Sequence, residues 1–296
     1  MRLYLCVVLL LVLGAAGPRR IAAAPAPACK ADAGWNDPGP PQHVFGNTYY
    51  VGTCGISALL VTSDRGHILI DGATTPAGPM IEANIRALGF TIADIKYILA
   101  THAHLDHAGG FARLQHDSNA VMIARGADAA AIERGRGDRS DPQFLSIEGF
   151  PAVKPVRRVA DGEAVTLGPL AITAHATPGH TPGSTSWTWD SCEGARCLHL
   201  AYVDSVSAIS DDVYRYTDEA HPGVVPAFRQ SLATIAALPC DVLLTPHPSV
   251  SNMFARMGPQ ATVPLSDPNA CRALATQAGE TLDKRIATER AAKRDR

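Results

Sequence analysis

The chain reads as a single α/β domain, and three observations point there. Short apolar runs of strand length alternate with apolar stripes at helical spacing. The second half repeats the rhythm of the first, although no sequence repeat, long linker or low-complexity segment is visible. The densest polar cluster, Thr101 to Gly110, follows the apolar run Ile95 to Ala100, and open α/β sheets place their sites at such strand ends.

Met1-Arg2, the apolar stretch Leu3 to Leu13 and the small residues Ala15, Ala16, Gly17 and Ala22 to Ala24 read as a secretory signal. Residues 1–24 are assigned to it and residues 25–296 to the folded domain. No other segment approaches the roughly 20 apolar residues of a membrane-spanning helix. The formal charge is -2, and losing Arg2, Arg19 and Arg20 with the signal takes it to about -5. A nucleic-acid partner would want a basic face, so none is expected. Neither is a membrane partner for the mature chain.

Of seven cysteines, Cys6 lies in the signal. The remaining six, Cys29, Cys54, Cys192, Cys197, Cys240 and Cys271, allow fifteen pairings by count. An even set in an exported chain is read as bridged. Cys192 and Cys197 flank the turn Glu193-Gly194-Ala195-Arg196 and are paired on that ground.

Strands are expected at Asn47 to Val51, Ser57 to Thr62 and His67 to Asp71, the last two joined by the Asp64-Arg65-Gly66 turn. Ile81, Ile85 and Leu88 form a helical stripe that Gly89 stops. After the buried strand Ile95 to Ala100, Gly109 and Gly110 let the chain turn tightly into a short helix from Phe111 to His116. A strand from Ala120 to Ala124 and a helix near Ala127 to Ile132 follow. Arg134 to Val153 has no period and is rich in Gly, Pro, Asp and Arg, so it reads as a loop bordering the substrate, with Gln143 and Phe144 as its candidate contacts. Further strands are expected at Ala164 to Leu167, Leu170 to His175, Ser184 to Asp190 and Cys197 to Val203. Trp187 and Trp189, two apart, read as packing residues. Phe228, Leu232 and Ile235 mark a helix ended by Pro239, Asp241 to Leu244 a strand, and Leu274, Leu282 and Ile286 a closing helix with a solvated charged end.

The cluster itself is His102-Ala103-His104-Leu105-Asp106-His107, three imidazoles and a carboxylate in six positions. In an extended chain His102 and His104 point to one side, while Asp106 and His107 fall on the turn that follows. Imidazole nitrogen and carboxylate oxygen suit a borderline divalent ion, zinc first. Two further histidines sit between turn residues after strand-like runs: His180 in Pro178-Gly179-His180-Thr181-Pro182-Gly183-Ser184 and His247 in Thr245-Pro246-His247-Pro248.

With these pieces in this order, the chain resembles the metallo-β-lactamase superfamily, and within it subclass B3. The resemblance runs through nearly all of the mature chain, including Trp35-Asn36-Asp37 and the cysteine positions. It implies a four-layer αβ/βα sandwich and pairs Cys240 with Cys271, leaving Cys29 with Cys54. It implies two zinc ions per chain, one on His102, His104 and His180, the other on Asp106, His107 and His247. Asp71 is then a support of the ligand loop, a turn or helix-cap aspartate being the other reading. At Asp204-Ser205 the B1 subclass has a zinc-binding cysteine and many lactonases and thioesterases use an aspartate that bridges both metals; Asp-Ser is the B3 pattern. The implied activity is periplasmic hydrolysis of the β-lactam amide of penicillins, cephalosporins and carbapenems, conferring antibiotic resistance. Two zinc ions share a hydroxide formed near neutral pH, with Asp106 orienting the water as a zinc ligand. Ser205, Ser207 and Gln143 are the candidate substrate contacts, the partner is the β-lactam itself, and the chain is expected to be a monomer. The alternative is a dinuclear zinc hydrolase of lactones or thioesters.

Overall fold

A computed structural model describes residues 29–30, 32–259 and 261–294. The expected signal, residues 1–24, lies outside them. Seven strands form the first sheet in chain order: β1 Gln42–Phe45, β2 Thr48–Tyr50, β3 Leu59–Ser63, β4 Gly66–Ile70, β5 Ile95–Leu99, β6 Val121–Arg125 and β7 Val156–Val159. The first four are antiparallel neighbours, and β4 to β7 run parallel. Between them lie α1 Gly78–Ala87, α2 Leu105–Ala108, α3 Phe111–Ser118 and α4 Gly126–Arg134.

The second sheet holds β8 Ala164–Leu167, β9 Leu170–Ala176, β10 Thr185–Glu193, β11 Arg196–Tyr202 and β12 Val242–Leu244, with order β12-β11-β10-β9-β8. Only β11 and β12 pair in parallel. The later helices are α5 Val224–Ala237, α6 Met253–Arg256 and α7 Ala270–Arg294.

Strand alternation dictates four layers. In β4 every residue is buried, yet Ile68 and Ile70 join the cluster between the two sheets while Leu69 joins the cluster under α1 and α3. The second sheet mirrors this. Leu200 and Tyr202 of β11 face the first sheet, and Ala201 of the same strand faces α5 and α7. A sheet covered on both faces needs apolar residues at successive positions, which is why these strands read as continuous runs.

Trp187 and Trp189 sit between the sheets as their spacing requires. The Trp187 indole N–H donates to the Ala100 carbonyl at 3.1 Å, and that of Trp189 to Thr48 Oγ1 at 3.0 Å. Each ring thus ties the second sheet to the first while its one polar atom is satisfied. All three expected disulfides are present: Cys29–Cys54, Cys192–Cys197 across the β10–β11 turn, and Cys240–Cys271, which fastens α7 beside β12.

The structure adds two strands to the expected set, β1 and β7. Both are edge strands with only partial burial; in β7 the arginines Arg157 and Arg158 are exposed between the buried Val156 and Val159, so no apolar run marked them. Helix α3 continues to Ser118, where Asn119 takes a left-handed conformation that ends it. Among the described residues no helix is long and apolar enough to cross a membrane.

Replacing Trp187 by Ala should lower the free energy of unfolding by about 3–5 kcal/mol, read from denaturant melts. A loss within about 0.5 kcal/mol, as for a surface substitution, would mean that the ring does not hold the sheets together.

Candidate metal centre

The site forms where β4, β5, β9, β11 and β12 end, at one edge of both sheets. Asp71, directly after β4, sets the first part. Its Oδ1 accepts the Thr101 N–H and its Oδ2 the Thr101 hydroxyl, both at 2.8 Å, and the Tyr202 hydroxyl donates to Oδ2 at 3.0 Å. Asp71 is fully buried and holds a left-handed φ of 64°. Few non-glycine residues adopt that conformation, and aspartate is one that does. Burial pushes its carboxyl up to about 7, against His107 and the Thr101 hydrogen bonds.

After Thr101 the chain reaches His104, whose extended backbone precedes α2. That short helix carries Asp106 and His107 and returns to the Asp71 segment: the Gly72 N–H donates to the His107 carbonyl at 2.9 Å and the Gly110 N–H to that of Ala73 at 3.1 Å. A Cβ on Gly110 would stand 2.2 Å from the Gly72 carbonyl oxygen, so only glycine allows this approach.

Ligand atoms of His102, His104 and His180 lie within 4.8 Å of one another, and so do those of His102, Asp106 and His107. His180 arrives on the loop after β9. His247 arrives on the loop after β12; its Nε2 is 3.4 Å from Asp106 Oδ2, and its ring centroid is 5.0 Å from that of His107. The structure therefore gathers all six expected positions, with His102 close to both groups. His247 is the most exposed of them.

Each imidazole of the first group is held from behind. His102 Nδ1–H donates to Asp204 Oδ1 at 2.7 Å, His104 Nε2–H to Asp141 Oδ2 at 3.0 Å, and His180 Nδ1–H to the Ser207 carbonyl at 3.1 Å, with Ser207 Oγ 3.0 Å away. Such contacts assign the tautomer and leave the other nitrogen of each ring as the acceptor, which in His180 takes the Gln143 amide at 3.3 Å, a bond that a metal there would displace. Burial lowers the pKa of His102 and takes that of His180 down to about 3, so both rings are neutral.

Burial also works against charge on His107, but Asp106 overcomes it and raises this ring to about 9. Asp106 stays ionised: burial opposes it, and His107 followed by His247 hold its pKa down. Both nitrogens of His107 and Asp204 Oδ2 are buried without a hydrogen-bond partner. Such orphaned groups each cost about 1–3 kcal/mol. Orphaned atoms beside a set of nitrogen and carboxylate donors suit a divalent metal, and these residues fit one.

A cleft of about 660 Å³ opens over this cluster. Gln143, Ser205 and Ser207 line it, as expected, and the Gln143 amide nitrogen is 3.3 Å from His180 Nε2. Phe144 is a correction: it is not among the lining residues, because its ring is stacked under the Arg136 guanidinium at 4.2 Å. Asp204 lines the cleft with one oxygen on His102 and the other free.

Other lining residues had no sequence signal as site residues. Leu274 and Gln277 reach the cleft from α7, and exposed Ile209 and Val250 stand at its mouth. Asp141 was missed as well; nothing in the aperiodic loop distinguishes it from Asp138.

Residues 51–247 match the family described as the metallo-beta-lactamase superfamily. Among solved structures, the metallo-beta-lactamase MIM-1 from Novosphingobium pentaromativorans is 47% identical with a TM-score of 0.86, over 90% of this chain and 97% of that one. MEM-A1, a subclass B3 metallo-beta-lactamase from a soil metagenome library, is 42% identical with a TM-score of 0.84, over 88% of this chain and all of that one. A curated relative, the N-acyl homoserine lactonase AttM of Agrobacterium fabrum, is 28% identical over 151 residues, 44% of this chain and 57% of that protein. The chain spans less than two thirds of the length of the first curated relatives it matches.

Asp211 straps the loop of residues 134–153 to the segment after β11. Its carboxylate accepts N–H groups of Leu145, Val213 and Tyr214 and the Arg139 guanidinium. Burial works against ionisation, but these donors, Tyr214 N–H first, hold the carboxyl at about 2 rather than 3.8. A carboxyl lowered by folding contributes stability above its unfolded pKa and loses it as pH falls through the folded one. Wild-type melting temperature should therefore fall more steeply between about pH 4 and pH 2 than that of Asp211→Asn. Parallel curves would show that this carboxylate is not held ionised by the fold.

Proposed function

The chain belongs to the metallo-β-lactamase superfamily, and from that premise we propose that it is a secreted, periplasmic zinc β-lactamase of the B3 type. It hydrolyses the amide of penicillins, cephalosporins and carbapenems and so confers antibiotic resistance. The observation that carries the reading is the ligand set in its cleft: His102, His104 and His180 for one zinc, and Asp106, His107 and His247 for a second. By resemblance, Asp204-Ser205 is the B3 pattern at the point where a B1 enzyme has its cysteine ligand, and the chain is 42% identical to the subclass B3 structure MEM-A1 over most of its length. The mature chain is taken to act as a monomer, without nucleic-acid or membrane partners.

Zinc, when bound, brings the pKa of a coordinated water toward about 7 and polarises a carbonyl oxygen. The chain's own residues do the rest. Asp204, Asp141 and Ser207 fix the three imidazoles through one nitrogen each, leaving the other as the candidate metal donor. Asp106, kept ionised between His107 at 3.1 Å and His247 at 3.4 Å, orients the attacking water. Ser205, Ser207 and Gln143 line the cleft, where they can donate to the substrate carboxylate and turn the strained amide toward the water. No covalent link to the enzyme is required.

One observation favours a second reading, a hydrolase of lactones or thioesters. Asp204 Oδ2 is buried, unpartnered and in the cleft, as an aspartate that bridges two metals would be. The two are separated by following carbapenem absorbance with purified protein, with chelator and with zinc restored. Turnover that disappears on chelation and returns with zinc is expected; inertness toward the carbapenem with two zinc ions bound would move the assignment to the lactone or thioester hydrolase. His247→Ala should keep one zinc, lose the other and lower kcat/KM by about 100-fold or more. Unchanged activity with both zinc ions retained would remove His247 from the ligand set.

A further inference from the structure

Of the three histidines in the first group, two lean on the same segment: His102 on Asp204 and His180 on Ser207. His104 differs. Its partner, Asp141, comes from the 134–153 loop, the long irregular stretch between α4 and β7. Asp141 is buried, and both of its carboxylate oxygens are committed. Oδ2 accepts the His104 Nε2–H at 3.0 Å, and Oδ1 accepts the backbone N–H of Gln143 at 2.8 Å. A Cβ on Gly137 would stand 2.7 Å from Asp141 Oδ2, so the loop backbone packs directly against the carboxylate. The neighbouring Pro142 carbonyl accepts the Asp211 N–H at 2.8 Å. One carboxylate thus holds both the imidazole and the fold of the loop that carries Gln143 into the cleft.

We propose that Asp141 is a positioning residue for His104 and that it couples the 134–153 loop to the metal, so that metal binding orders the loop and the ordered loop tightens metal binding. The proposal rests on His104 being a metal ligand, as in the function proposed above. Donation from Nε2 leaves Nδ1 as the only lone pair of that ring, which fixes the face it presents. A cation at Nδ1 makes Nε2–H a stronger donor, and the carboxylate in turn makes Nδ1 more basic. Because the coupling is a free energy shared between two events, it acts equally in both directions.

The test uses zinc alone as the probe and needs no substrate. Competition with a chromophoric chelator gives the zinc affinity, and hydrogen exchange gives the protection of amides 134–153 with and without zinc. Asp141→Ala should weaken zinc by about 10–100-fold, the range usual for a group behind a ligand. Asp141→Asn, whose amide oxygen still accepts from Nε2–H, should recover most of that loss. In wild type, zinc should slow exchange across the loop; in Asp141→Ala the slowing should be absent even at saturating zinc. A carboxylate that merely supported the loop would change protection by the same factor with and without zinc, and would leave zinc affinity alone. Either result overturns the proposal, as does a wild-type loop whose exchange ignores zinc, which decides the matter even if Asp141→Ala does not fold. Failure of wild type to take up any zinc would overturn the metal assignment itself, and the titration tells the two cases apart.

Discussion

The site depends first on the buried carboxylate of Asp71. Three hydrogen bonds from Thr101 and Tyr202 converge on it, and they fix where β5 stops and the ligand-bearing turn begins. Tyr202 belongs to the second sheet and Thr101 to the connection leaving the first. The same carboxylate therefore registers one sheet against the other at the edge where the candidate donors from both come together. It does so in a left-handed backbone conformation that is uncommon for a residue other than glycine, although aspartate adopts it more readily than most.

Much of the polar interior follows from that arrangement. Four histidines and several carboxylates lie out of water within a few ångströms of each other. Burial keeps His102 and His180 neutral, and carboxylates beside the His102 and His104 rings decide which nitrogen carries the proton. Hydrogen bonds and neighbouring charges account for most of the polar groups; the orphaned nitrogens of His107 and the free oxygen of Asp204 are what a cation would complete.

The candidate metal cluster was legible in the sequence because metal chemistry requires particular side chains close together, and His102 to His107 places four possible donors within six residues. The inner strands were legible because burial on both faces leaves continuous apolar runs. Edge strands β1 and β7 were not, since one-sided or partial burial leaves little pattern to read. Nor were the outer parts of the cleft. Asp141 and the α7 residues act through a tertiary approach that no local spacing encodes, and Phe144, although next to Gln143, is drawn away by Arg136. The disulfides lay between these cases: the tight turn marked Cys192–Cys197, whereas the other two pairs came from family resemblance.

The contact between His104 and Asp141 has a consequence for how such a chain can change over generations. Of the 134–153 loop, Gln143 and Ile147 line the cleft, and a change at either alters its shape without touching the histidine cluster's carboxylate support. At Asp141 that freedom ends. A substitution there alters the mouth and the grip on the metal together, so a gain in substrate range made at this residue is inherited with a greater dependence on the metal available in the surroundings.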